Sequence, residues 1–368
     1  MVSTDNFDLR HIEFKHGREF EKRINGLSSR SFDTPMPVMS FEFVPPGTRM
    51  MEQRLWRCIQ CLAPLSPRFV SVTYGAGGTT RTGTVSTVLR LRRETDLVPA
   101  AHMTCTGATR RDVDDFARRY WAAGVKHIVA LRGDPPTGSA DDTPQSGGYA
   151  YASDLVAGLR RIADFEISVA AYPETHPAAL NPQADLDNLK RKLDAGATRA
   201  ITQYFFDAET YLRFFDRCLA AGMTAPIIPG IMPVSDYGQI ARFSALCGVT
   251  VPDWLTHLFE GTVENPELRR IIASIVAVEQ IRTLQAYGIN EFHISTLNRS
   301  DLTYAIAHIL GVRPTEQHAA YKRVNCSETA EITDEQNAPT DFDTTGQTQT
   351  QTQTQENAPP FMLRTQFR

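Results

Sequence analysis

The chain has 368 residues, of which 42% are hydrophobic and 9% aromatic, enough for a large buried core. Its 38 basic and 42 acidic residues give a formal net charge of −4, which argues against the clustered basic surface of a nucleic-acid-binding protein. No apolar run approaches the ~18 residues of a membrane span, and the N-terminal residues contain no apolar signal region. We therefore expect a cytoplasmic enzyme with neither a membrane nor a nucleic acid as its partner.

Residues 1–35 are polar and charged and predict an N-terminal arm, after which residues 36–314 repeat one pattern. Short apolar, β-branched runs alternate with longer stretches of 3.6-residue period, and the first four runs are about thirty residues apart, the length of one βαβ unit. The runs begin near positions 38, 69, 98, 127, 166, 199, 226 and 291. Eight such strands predict an α/β fold, a (β/α)8 TIM barrel, with an additional helix at 266–288 before the last strand. A doubly wound sheet is the rival, but it usually carries a glycine-rich dinucleotide turn after its first strand, and this sequence has none there.

Glu42 lies in the first predicted strand between two phenylalanines. Because side chains alternate along a strand, Glu42 points into the barrel when Phe41 and Phe43 face the helices. A carboxyl group among apolar walls has a raised pKa and can serve as a general acid, which is the role we favour. Pairing with a buried arginine is the alternative that the sequence leaves open.

Polar side chains follow seven of the eight predicted strands, and a barrel gathers strand ends at the rim where its active sites lie. These side chains are Glu42, Thr73, Tyr74, His102, Thr104, Arg132, Asp134, Tyr172, Glu174, His176, Gln203, Thr296, Asn298 and Arg299. Their joint occurrence predicts a site for an extended polar cofactor and a substrate.

Two loops after predicted strands stand out. The glycine-rich loop at 75–78 matches neither a P-loop nor GxGxxG, and it suits either close approach to a flat ligand or phosphate or a tight connection. Asp134 is followed by Pro135, which restricts the backbone of Asp134 and so aims its carboxylate. Residues 137–148 are rich in Gly, Ser, Asp and Thr, as is typical of a mobile active-site loop.

The predicted helix at 183–196 places Asp185, Asn188 and Lys192 on one face. Arg191 and Lys192 are suited to a pyrophosphate, and Asp185 is suited to a sugar hydroxyl. From the pattern alone, a solvated helix face with ion pairs is the favoured interpretation.

Six cysteines spread over positions 58 to 326 are typical of a reducing compartment. Cys58 and Cys61 form a CxxC pair inside an amphipathic stretch, and we interpret both as ordinary helix residues because a structural zinc site needs four ligands. The sequence has no other metal motif, so no metal is expected. Residues 327–368, with strict Gln-Thr alternation from Gln347 to Gln355, contain few apolar residues and predict a disordered polar tail.

Nine segments carry a family resemblance, in the order SFEFVPP, SVTYGAGGTTR, AHMTCTG, LRGDPP, YASDL, AAYPETHP, QADLDNLKRKLDAGATRAITQYFFD, IIPGIMPVS and FHISTLNR. Over roughly residues 36–314 the sequence resembles the bacterial methylenetetrahydrofolate reductases. The resemblance implies a flavoprotein oxidoreductase with non-covalent FAD that uses NADH or NADPH as electron donor. It implies reduction of 5,10-methylenetetrahydrofolate to 5-methyltetrahydrofolate, which supplies methyl groups for methionine synthesis, and we expect a homo-oligomer.

The resemblance also implies roles for individual residues. Glu42 matches the proton donor, which acts on the folate N10 through a relay, and Asp134 matches the carboxylate that stabilises the resulting cation. The cofactor-binding positions are Thr73, Tyr74, Ala76, His102, Arg132, Gly133, Asp134, Ala152, Tyr172, His176, Ala179, Asp185, Asn188, Arg191 and Lys192. The substrate-binding positions are Asp134, Gln203, Gln239, Phe243 and Arg299. For the helix at 183–196 the resemblance reverses the interpretation as a solvated face, because its matching positions hold the diphosphate and adenosine half of the cofactor.

Overall fold

The structure is a computed structural model that describes residues 35–74, 81–133, 147–234 and 236–315. Residues 1–34 of the N-terminal arm predicted at 1–35 lie outside the described residues, as does the tail predicted at 327–368. Ala76, Asp134 and the loop residues 137–146 also lie outside them.

Eight parallel strands close into a barrel, in which each strand pairs with the next along the chain and the eighth pairs with the first. The strands are β1 Val38–Phe43, β2 Val70–Val72, β3 Pro99–Thr104, β4 His127–Leu131, β5 Glu166–Ala171, β6 Arg199–Tyr204, β7 Ile227–Ile231 and β8 Glu291–Ser295. The predicted (β/α)8 barrel and its eight strands are confirmed. All eight carboxyl ends meet at one rim, as the sequence analysis required.

The described residues form ten α-helices: α1 Arg49–Leu62, α2 Arg81–Glu94, α3 Arg110–Ala122, α4 Ala152–Ile162, α5 Pro182–Asp194, α6 Ala208–Ala220, α7 Tyr237–Cys247, α8 Asp253–Phe259, α9 Pro266–Gln285 and α10 Ser300–Ile309. The helix predicted at 266–288 is α9, and it packs beside α6 and α10. It therefore takes the regular place in the outer ring. The additional elements before β8 are α7 and α8, which the sequence analysis did not delimit.

The core has two layers, because strand side chains alternate between the helices and the barrel interior. Phe41 and Phe43 are fully buried in the outer layer, in one cluster with Leu55 and Ile59 of α1. A smaller cluster around Phe69 fills the barrel interior. The alternation that sends the two phenylalanines outward turns Glu42 inward, as predicted.

A glycine in β7 shapes the neighbouring strand. A Cβ at Gly230 would lie 2.2 Å from the carbonyl oxygen of Thr202. The Gly230 N–H instead donates to the Thr202 hydroxyl at 2.9 Å, and the register between β6 and β7 shifts between Ile201 and Tyr204. Only glycine permits this close approach, which displaces the end of β6 where Gln203 lies.

Charged side chains close the amino end of the barrel. Arg199, at the start of β6, is buried and forms ion pairs with Glu166 and Glu291. The second carboxylate oxygen of Glu291 lies 2.9 Å from the Arg68 guanidinium. We call Arg68, Glu166, Arg199 and Glu291 the amino-end plug.

In the described ranges, no helix combines the length and apolarity needed to span a bilayer. In the same residues, no group of three or more His, Cys, Asp or Glu side chains is arranged to hold a metal ion. Cys58 and Cys61 are buried free thiols of α1, so their predicted place in a helix is confirmed.

Candidate active site

Glu42 lies inside the barrel at its carboxyl end, with only 2% of its surface exposed. Its Oε1 accepts a hydrogen bond from the Ser295 hydroxyl at 2.8 Å. Its Oε2 lies 3.5 Å from Nε2 of His102 and 3.9 Å from Nε2 of His293. Among the described residues, the groups seen around the carboxylate include a hydroxyl and two imidazoles.

These neighbours decide the proton affinity of Glu42. Burial raises the pKa of Glu42, but the neighbouring His293 and His102 imidazoles and the hydrogen bond from the Ser295 hydroxyl outweigh burial and lower it below its ordinary value. The raised pKa expected from the sequence is therefore wrong. The sequence shows the apolar residues beside Glu42 in its own strand, but not the histidines that β3 and β8 place next to its carboxylate.

His102 has the opposite character. Burial lowers the pKa of His102 to about 4, although the charge of Glu42 partly opposes this effect. The imidazole is therefore neutral at neutral pH. Neither ring nitrogen has a hydrogen-bond partner among the described residues, and the ring lines a small cavity together with Glu42 and His293. A buried polar group in this condition is costly for stability and is typical of a site that receives a ligand or an ordered water.

His293 is a functional candidate that the sequence analysis missed. Its Nδ1 lies 2.7 Å from the Ser40 hydroxyl and its Nε2 lies 3.2 Å from the Ser71 hydroxyl. The ring thus connects the Glu42 carboxylate to two hydroxyls deeper in the barrel. The signal was present in β8, where buried Phe292 and Ile294 alternate with His293 and Ser295, the same pattern that marked Glu42.

The ends of β2, β3 and β4 form one side of the rim. Thr73 is buried, and its N–H donates to the Phe43 carbonyl at 2.9 Å. Tyr74 and His102 line a common pocket with Thr104. The three predicted side chains at these strand ends therefore lie together.

Arg132 and Gly133 follow β4 closely against β3. The Arg132 carbonyl accepts hydrogen bonds from the N–H and the hydroxyl of Thr106, at 2.9 and 2.8 Å. A Cβ at Gly133, whose φ is +88°, would lie 2.8 Å from Cβ of Thr104, so both conformation and space require glycine here. The Arg132 guanidinium lies over the Tyr151 ring at 5.5 Å, which brings it to the start of α4, where Ala152 is the first residue.

The loop after β5 and the start of α5 bring four predicted cofactor positions together. Tyr172 and His176 pack edge to face with ring centroids 4.5 Å apart. The Ala179 N–H donates to the His176 carbonyl, and the His176 N–H donates to Oδ2 of Asp185 at 2.9 Å. Burial raises the pKa of Asp185, although the His176 hydrogen bond opposes it.

Helix α5 carries the remaining predicted cofactor positions, but not as one solvated face. Asn188 and Arg191 lie toward the surface, with Arg191 Nη2 3.4 Å from Asn188 Oδ1. Lys192 is buried and donates to the Ala170 carbonyl at 2.5 Å. Burial lowers the pKa of Lys192 to about 8, while the charge of Asp185 opposes the shift. The solvated-face interpretation is wrong for Lys192, because its side chain is buried. Burying an ammonium group beside a carbonyl lowers the stability of the fold unless an anion adjoins it.

The predicted substrate positions that the structure describes lie at the end of β6 or after β7 and β8, which are neighbouring strands of the barrel. Gln203 is buried at the end of β6, where its Oε1 accepts from the Tyr204 N–H at 3.0 Å. Gln239 and Phe243 belong to α7, and Phe243 is buried in the cluster that α7 forms with α8. Burial lowers the pKa of the Arg299 guanidinium, and the charge of Asp236, the residue that caps α7, partly opposes this. Arg299 therefore lies within electrostatic reach of the start of α7.

Known proteins resemble this chain in sequence and in fold. A sequence profile of the family Methylenetetrahydrofolate reductase matches residues 28–311. The 5,10-methylenetetrahydrofolate reductase of Pectobacterium carotovorum is 49% identical over 278 residues, and that of Salmonella typhimurium is 51% identical over 276. Each match covers 75% of this chain and 91% of the relative.

A solved structure shows the same fold. An uncharacterized protein from Clostridium thermocellum, described as binding two copies of 5-methyl-5,6,7,8-tetrahydrofolic acid, superposes with a TM-score of 0.52. The match covers 79% of this chain and 97% of that one, at 14% identity, so the likeness concerns the fold alone. The sequence relationships are far stronger, and from them it follows that the chain belongs to the methylenetetrahydrofolate reductase family.

Proposed function

We propose that this enzyme reduces 5,10-methylenetetrahydrofolate to 5-methyltetrahydrofolate with bound FAD and with NADH or NADPH as the electron donor. The methyl group of the product would serve methionine synthesis. The observation that carries the proposal is Glu42, a buried carboxylate held by two imidazoles and a hydroxyl at the mouth of a barrel of this family.

The residues around β5 and α5 fit an extended cofactor with a diphosphate. Buried Lys192 supplies a cation that forms no salt bridge within the described residues, although the charge of Asp185 acts on it, and Arg191 lies beside it in the sequence. Asp185 supplies a carboxylate suited to a sugar hydroxyl. Tyr172 and His176 supply a ring pair at the adjoining strand end.

We assign to the other side of the rim the isoalloxazine half of the cofactor. The described residues that we assign to its binding site are Thr73, Tyr74, His102, Arg132, Gly133 and Ala152. Two further positions, Ala76 and Asp134, are proposed from the sequence resemblance. When bound, FAD would carry a hydride from the nicotinamide to the methylene carbon of the folate. The orphan nitrogens of His102 supply hydrogen-bonding capacity facing this space.

Glu42 handles the proton in this proposal. Its pKa lies below the ordinary value, so the carboxylate is ionised at neutral pH and must first gain a proton. We assign the supply of this proton to His293, whose Nε2 lies 3.9 Å from the Glu42 carboxylate and whose Nδ1 lies 2.7 Å from the Ser40 hydroxyl. Glu42 then delivers the proton toward N10 of the folate, and Asp134 stabilises the cation that ring opening creates.

The substrate residues divide the folate between them. We assign Asp134 and Gln203 to the pterin, and Gln239 and Arg299 to the aminobenzoyl and glutamate parts. Arg299 keeps its positive charge despite burial, which suits a glutamate carboxylate. Phe243 packs against the bound substrate in this proposal.

The proposal is tested on the purified protein. The cofactor released by heat is identified by chromatography, and the folate product is identified after anaerobic incubation with NADH and, separately, with NADPH. We expect FAD and 5-methyltetrahydrofolate. Release of FMN alone, or of no flavin, would overturn the cofactor assignment, and failure of both nicotinamides to drive folate reduction would overturn the reaction.

A further inference from the structure

The turn between β8 and α10 has an unusual backbone. Leu297 and Asn298 are consecutive residues with φ of +50° and +55°, in the left-handed region. Asparagine tolerates this conformation better than most residues, whereas leucine rarely adopts it. Strained residues of this kind persist only where surrounding contacts fix them, and they cluster at functional sites.

The Asn298 side chain binds the main chain that follows Glu42. Its Oδ1 accepts from the Val44 N–H at 3.0 Å, and its Nδ2 donates to the Val44 carbonyl at 2.8 Å. The regular pairing of β1 with β8 ends where Glu42 faces Ser295. The amide of Asn298 therefore continues the ladder by one pair, in the manner of a strand partner.

The same turn holds Glu42 directly. The N–H and the hydroxyl of Thr296 both donate to the Glu42 carbonyl, at 3.1 and 2.7 Å. The Asn298 N–H donates to the Thr296 hydroxyl at 3.1 Å, which ties the two contacts together. Ser295 adds the hydrogen bond to the Glu42 carboxylate. Main chain and side chain of Glu42 are thus fixed by one segment of four residues.

That segment also sets the start of α10. The Arg299 N–H donates to the Thr296 carbonyl at 2.9 Å, and the helix begins at the next residue, Ser300. A shift of Asn298 would therefore move Glu42 and Arg299 relative to each other.

We propose that Asn298 is a positioning residue that clamps the end of β1 to the start of α10. The clamp fixes the proton-delivering carboxylate of Glu42 relative to the substrate-binding guanidinium of Arg299. The inference rests on the proposed function for the roles of those two residues, while the clamp itself rests on the contacts of Val44, Thr296 and Asn298.

Two substitutions separate the clamp from mere tolerance of a positive φ. Asn298→Gly accepts the conformation better than asparagine but removes both hydrogen bonds to Val44. Asn298→Asp keeps the shape and the acceptor, loses the donor, and places a negative charge near Glu42. Ser66→Gly is the matched control, because Ser66 has φ of +52° on the amino-end side of the barrel, before β2.

Rates of the two half-reactions are measured by stopped flow, and exchange of the Val44 amide proton is followed by NMR. In Asn298→Gly we expect folate reduction to fall by about 10- to 100-fold, as for other losses of positioning, while flavin reduction by NADH stays near the parent rate. The Val44 amide should exchange faster. Asn298→Asp should shift the pH profile of folate reduction to higher pH, because an added negative charge raises the pKa of Glu42.

Folate reduction at the parent rate in Asn298→Gly would overturn the proposal, because the residue would then serve only its own backbone conformation. If that variant does not fold, an unshifted pH profile and a parent rate in Asn298→Asp overturn it equally. The amide measurement needs no turnover, so a parent enzyme that is inactive on the folate would refute the proposed function while the clamp is still tested. Ser66→Gly should leave all three measurements unchanged.

Discussion

The two ends of the barrel interior both bury ionisable side chains, but they satisfy them differently. At the amino end, Arg199 has two carboxylate partners, and His127 places Nε2 2.8 Å from the Ser168 hydroxyl. One nitrogen of each, Nε of Arg199 and Nδ1 of His127, makes no hydrogen bond among the described residues. At the carboxyl end, Glu42 accepts a hydrogen bond from Ser295 with two imidazoles nearby, and neither nitrogen of His102 has a hydrogen-bond partner among the described residues. The charged groups of the amino-end plug therefore pair mainly with one another, whereas the His102 imidazole at the carboxyl end keeps hydrogen-bonding capacity that a ligand or an ordered water could use.

The largest expected effect is on stability at the amino end. Arg199→Ala leaves the Glu166 and Glu291 carboxylates facing each other without their shared cation. We expect the free energy of unfolding to fall by about 3–5 kcal/mol, toward the lower value because Glu166 is 40% exposed. Denaturant titration measures this, with Arg213→Ala in an exposed pair as the control, for which a change below about 1 kcal/mol is expected. Equal losses in the two variants would contradict the role of the plug.

The next effect concerns cofactor retention at the carboxyl end. Replacing both Arg191 and Lys192 by alanine removes two cations from the proposed diphosphate site. We expect FAD binding to weaken by about 1.5–3 kcal/mol, the size of one hydrogen bond to a charged group, because Arg191 is exposed and contributes less. Equilibrium dialysis of the flavin measures it. Lys190→Ala is the control, since Lys190 pairs with Asp194 on the same helix. Equal flavin retention in both variants would show that the cations of α5 do not bind the cofactor.

Replacing the buried histidines His127 and His102 by leucine should affect the free energy of unfolding differently. His127→Leu leaves the Ser168 hydroxyl without its partner, so the free energy of unfolding should fall by about 1–3 kcal/mol. His102→Leu removes two nitrogens that make no hydrogen bond in the described structure, so stability should stay level or rise while folate reduction falls. Thermal and denaturant unfolding with a turnover assay test the pair. A larger stability loss at His102 than at His127 would reverse the comparison.

The smallest effect is expected from the C-terminal residues. Truncation after Val324 removes a segment whose composition offers almost no apolar surface, and every proposed site residue precedes it. Stability should change by no more than about 0.5 kcal/mol, and both half-reactions should be retained. A large fall in either rate with folding unimpaired would give the tail a part in the site or in subunit assembly.

Much of the fold followed from short-range patterns. Strand periodicity gave all eight strands, and alternation placed Glu42 inside the barrel. The helices α7 and α8 were missed because no strand follows them directly to mark their boundaries. A regular βα unit contains one helix, but three helices lie between β7 and β8 in the part of the chain that the structure describes. The sequence does not show which of the three belongs to the outer ring of the barrel.

The chemistry of the site was less accessible to sequence reasoning. The pKa of Glu42 depends on His102 and His293, which are 60 and 251 residues away and meet it only when the barrel closes. The burial of Lys192 also escaped the helical pattern, because its carbonyl partner Ala170 belongs to β5. Local periodicity predicts which way a side chain points, but not what it meets there.

In the proposed reaction, Glu42 is the residue that delivers the proton for folate reduction. Glu42→Gln keeps the shape of the side chain but has no ionisable proton. General acid catalysis contributes typically ~10²–10⁴-fold, so folate reduction should fall by that range, while flavin reduction by NADH changes much less. Glu166→Gln in the amino-end plug is the control that removes an acid without touching the proton path.

Stopped-flow absorbance of the flavin, recorded for each half-reaction across pH, is the measurement that tests this claim most directly. Because the pKa of Glu42 lies below its ordinary value, the carboxylate is ionised at neutral pH. Its protonated fraction therefore grows as the pH falls from neutrality. Folate reduction by the parent enzyme should therefore accelerate toward lower pH, and Glu42→Gln should be slow with that acceleration lost. A variant that reduces methylenetetrahydrofolate at the parent rate with the same pH profile would show that Glu42 is not in the proton path.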